Sequence, residues 1–203
     1  MTRRAIKTST YIMAPLMMGL AFCASPIVSL LLTDKWLPCV PFLQIFCITY
    51  MFWPIHTANL NAINAMGRSD LFLKLEIIKK VIGLTLLFIT MRISVMAMAY
   101  SLLVSGLLSQ IINSWPNRKL LDYGYLEQLK DILPAILLAV VMGIIVYCVS
   151  LIGLNASLTL IIQIPLGAII YIAGSKLFKL ESYEYLINII KGIAKKQKGE
   201  KYE

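Results

Sequence analysis

Apolar runs of about 20 residues recur along this 203-residue chain, and they constrain its fold more than any other feature. Hydrocarbon offers no hydrogen bonds, so backbone crossing it must be helical or closed into a barrel. Barrel strands alternate apolar and polar residues over about ten positions. Here the runs are continuous. They cover Tyr11–Leu32, Pro41–Met66, Ile93–Ile112, Ile132–Ile152 and Ala156–Phe178. A weaker run needs polar Leu71–Lys80 to supply the start of Val81–Met91. Apolar residues make up 59% of the chain, about the 120 that six crossings of about 20 residues need. The expected fold is therefore all-α: a polytopic membrane protein with six transmembrane helices in three hairpins. Residues 1–180 form the bundle.

The remaining segments read as surface. Asn117–Asp131 is a polar connector with room for a short surface helix. Residues 181–203 form a basic cytoplasmic tail. In it, Tyr183, Leu186, Ile189, Ile190 and Ile193 repeat at helical spacing, with Glu184, Asn188, Lys191 and Lys195 on another face. That pattern predicts an amphipathic helix lying on the membrane.

The net charge of +9 does not point to nucleic acid, because the basic residues lie between apolar runs rather than on one soluble face. They fix an orientation instead. With the N-terminus inside, seventeen of the nineteen Lys and Arg fall on inner segments, and only Lys35 and Arg92 fall outside. This asymmetry predicts both termini in the cytoplasm. Trp36 and Trp115 fall at expected interfaces. The lysines of the tail favour an anionic leaflet, and a solvated topology anchor explains them without a specific lipid site.

A signal peptide fits the start poorly, since the apolar run is too long and holds Pro15 and Pro26. Leu20-Ala21-Phe22-Cys23 approaches a lipoprotein box, but bulky Phe22 stands where a small residue is needed. Cys23, Cys39, Cys47 and Cys148 show no metal or redox spacing. No P-loop, GxSxG, HExxH or paired intramembrane carboxylate is present, so an enzyme is not expected, nor any cofactor or metal.

Polar groups at membrane depth mark candidate functional positions. The second run is richest in them. Tyr50, Trp53, Thr57, Asn61 and Asn64 fall within about 80° of one another at about 100° per residue. Such a stripe suits a wet cavity receiving sugars, because amides both donate to and accept from hydroxyls and aromatic rings cover sugar faces. It equally suits contact between helices. His56 lies off the stripe, near Asn59; a satisfied buried imidazole fits it better than a proton sensor. Lys79 and Lys80 point in different directions, so one can snorkel while the other faces inward toward a phosphate, with Arg68 assisting and Glu76 available to pair. Ser101, Ser105, Gly106 and Ser109 form a small-residue edge for close packing. Pro26, Pro54 and Pro165 interrupt runs, as kinks or hinges.

Several stretches carry a resemblance. They are Ala14-Pro15-Leu16-Met17-Met18-Gly19-Leu20, Leu30-Leu31-Leu32-Thr33-Asp34-Lys35-Trp36, Phe42-Leu43-Gln44-Ile45 and Asn64-Ala65-Met66-Gly67-Arg68-Ser69-Asp70 leading into Leu71-Phe72-Leu73-Lys74. Together they resemble bacterial polysaccharide flippases of the multidrug/oligosaccharidyl-lipid/polysaccharide superfamily, in the lipopolysaccharide and teichuronic-acid biosynthesis branch. The resemblance is most specific over Arg3–Lys80. It implies two helical lobes around a central cavity in the bacterial cytoplasmic membrane, which pass an undecaprenyl-pyrophosphate-linked repeat unit between leaflets. Six spans make one lobe, so it further implies the C-terminal part of a transporter whose other lobe, or a second chain, is a partner. The alternatives are a multidrug or small-solute antiporter of the same architecture, or an accessory or inactive membrane fragment.

Overall fold

The computed structural model describes residues 1–199, with side chains through Gly192. Among the described residues every regular element is a helix. In chain order these are α1 (Thr2–Phe22), α2 (Ala24–Leu32), a 3-10 turn (Asp34–Cys39), α3 (Val40–Met51), α4 (Trp53–Ala65), α5 (Ser69–Thr90), α6 (Val95–Leu120), α7 (Tyr125–Ser150), α8 (Ala156–Leu177) and α9 (Glu181–Gly199).

Four stretches are long and apolar enough to cross a membrane: Asp34–Ala65, Val95–Leu120, Tyr125–Ser150 and Ala156–Leu177. The bent pair α1–α2, turned by 68°, brings the number to five if counted as one crossing. The expected six are therefore not reached. The shortfall is α5. Its 22 residues reach about 33 Å at 1.5 Å each, enough for the thickness, but Lys74, Glu76, Lys79 and Lys80 crowd its first half. The chain is nonetheless a multi-pass membrane protein, and its outward Leu, Ile and Val side chains suit contact with lipid.

Proline explains both breaks. A proline lacks an N–H and its ring clashes with the carbonyl four residues earlier. Pro26 follows the break at Cys23, and Pro54 follows the break at Phe52. Pro15, Pro134 and Pro165 stay inside continuous helices. The α1 break is locked by packing. Phe22 lies so close to Gly143 of α7 that an added Cβ would sit 2.2 Å from its ring, and Phe22 meets Tyr147 edge-on at 6.2 Å.

The core centres on α7. Its Ile132, Ala139, Met142 and Val146 pack against Ile6 and Ala14 of α1, Ile55 of α4 and Tyr171 of α8. Tyr171 donates a hydrogen bond to the Tyr11 carbonyl at 2.9 Å, and the Tyr11 hydroxyl donates to Ser175 Oγ at 2.8 Å.

The expected surface connector at Asn117–Asp131 is replaced by a link of four residues, Leu121–Gly124, between two long helices. Asn117 and Gln128 are fully buried instead of surface-exposed. The reason is that their amides find partners across three helices, as described below. The tail begins as the expected helix, with Leu180, Tyr183 and Leu186 against the core. The side chains of Ile193, Lys195, Lys196 and Lys198, and all of Lys201, lie outside the described residues.

One end of the bundle is tied by charge. Arg3 donates to both Asp131 oxygens at 2.6 and 2.8 Å, and Lys7 bonds Glu181 at 2.8 Å. The Tyr123 hydroxyl donates to Asp131 at 2.7 Å. Burial and the adjacent carboxylate push the Tyr123 phenol well above its ordinary value. The first helix, the α6–α7 link and the start of α9 therefore share one end.

Candidate functional site

A groove of about 490 Å³ opens between the α3–α4 arm and the α5–α6 hairpin. Small residues set its width. An added Cβ on Gly106 would come within 3.2 Å of Thr49, and one on Gly83 within 3.3 Å of Ser105. The small-residue edge of α6 thus packs closely, as expected, while Ser101, Ser105 and Ser109 also line the groove.

The aromatic wall comes from α3 and α4. Trp53 stacks on His56 with ring centres 4.9 Å apart, and Tyr50 tilts toward Trp53 at 5.7 Å. His56 is held from behind, because the Asn113 amide nitrogen lies 2.8 Å from Nδ1. The cationic wall comes from α5. Lys79 is the inward lysine, 8% exposed, and it pairs with Glu76; Lys80 is exposed at the groove. Glu76 therefore takes up the inward charge that the sequence offered to a phosphate.

The structure brings together Tyr50, Trp53, His56, Lys79 and Lys80. It does not bring Thr57, Asn61, Asn64 or Arg68 into that groove. Thr57, Asn61 and Asn64 continue the Trp53 face of α4 as an exposed polar strip. The buried face of α4 is a different one, made by Pro54, Ile55, Asn59, Leu60 and Ile63. Arg68 is exposed in the α4–α5 link and pairs with Asp70 at 3.3 Å. That guanidinium holds the Asp70 carboxyl below its ordinary range.

Behind α4 lies a polar core that the sequence reading passed over. Asn59 Nδ2 donates to Gln128 Oε1 at 2.8 Å and to Ser114 Oγ at 3.0 Å. Gln128 Nε2 and Asn117 Nδ2 donate to Asn59 Oδ1 at 3.0 and 2.7 Å. A signal was present: Gln110, Asn113, Ser114 and Asn117 repeat at i, i+3, i+4 and i+7. These amides are the helix-to-helix contact, whereas the strip through Asn61 and Asn64 faces away from the bundle. Among the described residues no group of three His, Cys, Asp or Glu is placed to hold a metal ion.

The described residues thus form an all-helical, multi-pass membrane bundle with a polar groove. Comparison with known proteins narrows the class. The family described as polysaccharide biosynthesis protein matches residues 1–41. The chain is also similar to the teichuronic acid biosynthesis protein TuaB of Bacillus subtilis (strain 168), 24% identical over 163 residues. That alignment covers 78% of this chain and 34% of TuaB, so the chain spans about a third of that relative's length. Both similarities are to proteins of polysaccharide biosynthesis. No solved structure matches the chain.

Proposed function

We propose that this chain forms one wall of a path that moves a lipid-linked oligosaccharide, an undecaprenyl-pyrophosphate repeat unit, from the inner to the outer leaflet of a bacterial cytoplasmic membrane. Both termini would lie in the cytoplasm, and the basic tail would rest on the inner leaflet. The role is transport, with no covalent chemistry assigned to the chain.

One observation carries this reading. Along the otherwise lipid-suited α3–α4 arm, Tyr50 of α3 and Trp53, Thr57, Asn61 and Asn64 of α4 are all exposed. Four side-chain oxygens, two amide N–H₂ groups and an indole N–H on lipid would lose hydrogen bonds to water, at a cost of several kcal/mol per unsatisfied group in hydrocarbon. A water-filled path removes that cost and gives sugar hydroxyls the partners they need. Tyr50 and Trp53 offer ring faces to a sugar. Lys80 and Arg68 offer charge to a pyrophosphate at the groove and at the adjoining helix link. Lys79 contributes once it parts from Glu76. The similarity to a teichuronic acid biosynthesis protein supports a glycan cargo.

The test is ligand binding in lipid nanodiscs. Quenching of Trp53 emission by a short undecaprenyl-pyrophosphate oligosaccharide is the readout, with Trp36 and Trp115 replaced by Phe. Lys80→Ala should weaken binding about fivefold, and Asn61→Ala by a similar factor, corresponding to about 1 kcal/mol each. Equal affinity for undecaprenol lacking sugar and phosphate would contradict the reading, as would no effect of either substitution.

A further inference from the structure

At the charged end of the bundle, α1 and α9 diverge to leave an open cleft of about 1190 Å³. Three cations of α1 face it: Arg3, Arg4 and Lys7. Two of them are committed, Arg3 to Asp131 and Lys7 to Glu181. Arg4 has no carboxylate partner among the described residues; its guanidinium lies 5.0 Å from the centre of the Tyr185 ring on α9. In the cleft, Arg4 therefore offers a positive charge that no carboxylate among the described residues pairs, on a planar group with several donors.

What lies beyond Arg4 says which anion fits. Residues four apart stack along one face of a helix. From Arg4 that face runs through Thr8 to Ile12 and Leu16, which are 46% and 59% exposed. A cation comes first, then a hydroxyl, then two open apolar side chains, in the direction from the end of the bundle toward its middle. A free phosphate uses only the first two. A membrane phospholipid uses all four, its phosphodiester at Arg4 and Thr8 and one acyl chain along Ile12 and Leu16.

We propose that the α1–α9 cleft is a binding site for an anionic glycerophospholipid, which joins the first helix to the tail helix at the membrane surface. This site is separate from the groove of α4, α5 and α6. The lipid here is a fixed structural ligand, not cargo. The Arg4–Tyr185 contact closes one side of the headgroup site.

Native mass spectrometry of the detergent-purified chain tests this, with phosphatidylglycerol and phosphatidylcholine of matched acyl chains as probes. Phosphatidylglycerol should be retained preferentially. Arg4→Ala should reduce that preference about fivefold, the ratio equivalent to about 1 kcal/mol per basic residue near a membrane surface. Arg4→Lys should keep most of it, which separates lost charge from lost folding. Ile12→Ser should weaken retention of both lipids. Lys35→Ala, exposed in the turn after α2, should change nothing. Equal retention of the two lipids, or an unaltered preference in Arg4→Ala, would overturn the proposal. Displacement of phosphatidylglycerol by equimolar inorganic phosphate would overturn the lipid assignment and leave a simple anion site.

Discussion

Asn59 and Gln128 exchange two amide hydrogen bonds across the α4–α7 interface, Nδ2 to Oε1 at 2.8 Å and Nε2 to Oδ1 at 3.0 Å. Both residues are 0% exposed. Asn117 and Ser114 of α6 join the same pair, so three helices meet at one polar point. This point fixes the rotation of α4. It turns Asn59 inward and so presents Trp53, Thr57, Asn61 and Asn64 to the other side.

Removing the hub should leave several buried groups without partners. Asn59→Ala is expected to cost about 2 kcal/mol, within the range for an unsatisfied buried donor or acceptor. Asn59→Ala combined with Gln128→Ala should cost less than the sum of the two single changes. Reversible unfolding in mixed micelles measures both. Strict additivity would mean the two amides act independently.

The Glu76–Lys79 pair predicts an order of effects. Lys79 is buried and Glu76 is about a third exposed. Glu76→Gln leaves an ammonium buried without its counter-charge and should destabilise by about 3 kcal/mol. Lys79→Met leaves a carboxylate that water reaches, and should cost about 1 kcal/mol or less. The same unfolding assay ranks them. The reverse order would place Lys79 in solvent.

Phe22 sits in the space left by Gly143. Gly143→Ala should push the ring out and cost about 1–3 kcal/mol, the usual range for overpacking. Phe22→Leu in the same chain should recover part of the loss. If Gly143→Ala is neutral, α1 does not approach α7 this closely.

The contact between Lys7 and Glu181 should respond to acid. The Lys7 ammonium, hydrogen-bonded to Glu181, holds its carboxyl below the ordinary glutamate value. A carboxyl lowered in the folded state stabilises above its unfolded value, and the contribution is lost as pH falls through the folded one. Because Glu181 is exposed, the effect is small and screened by salt. Spin labels on α1 and α9 should separate as pH falls through that range, while Glu181→Gln should show no such pH response. Asp131 titrates at the same end, so the variant comparison isolates Glu181.

Much of this architecture is written in hydropathy. Continuous apolar runs located α6, α7 and α8. The bend at Pro26 and the break before Pro54 follow from a missing N–H. Two features were hidden for a physical reason. Helical periodicity says which residues share a face but not which face turns inward. The strip through Asn61 and the core around Asn59 are both polar, and only packing distinguishes them. Likewise Asn117 and Gln128 look like connector residues until each finds a partner on another helix. In the groove, the sequence offered Lys79 to a ligand, but Glu76, one helical turn away, takes its charge.

Cysteine accessibility tests the central claim, that the outer strip of α4 faces water inside the membrane. In a chain with its four native cysteines replaced, Asn61→Cys should react with a membrane-impermeant maleimide in sealed vesicles, from one side only. Leu137→Cys, on the exposed apolar face of α7, should remain unlabelled. If Asn61→Cys is as inert as Leu137→Cys, the strip lies against lipid or another helix, and no transport path runs along it.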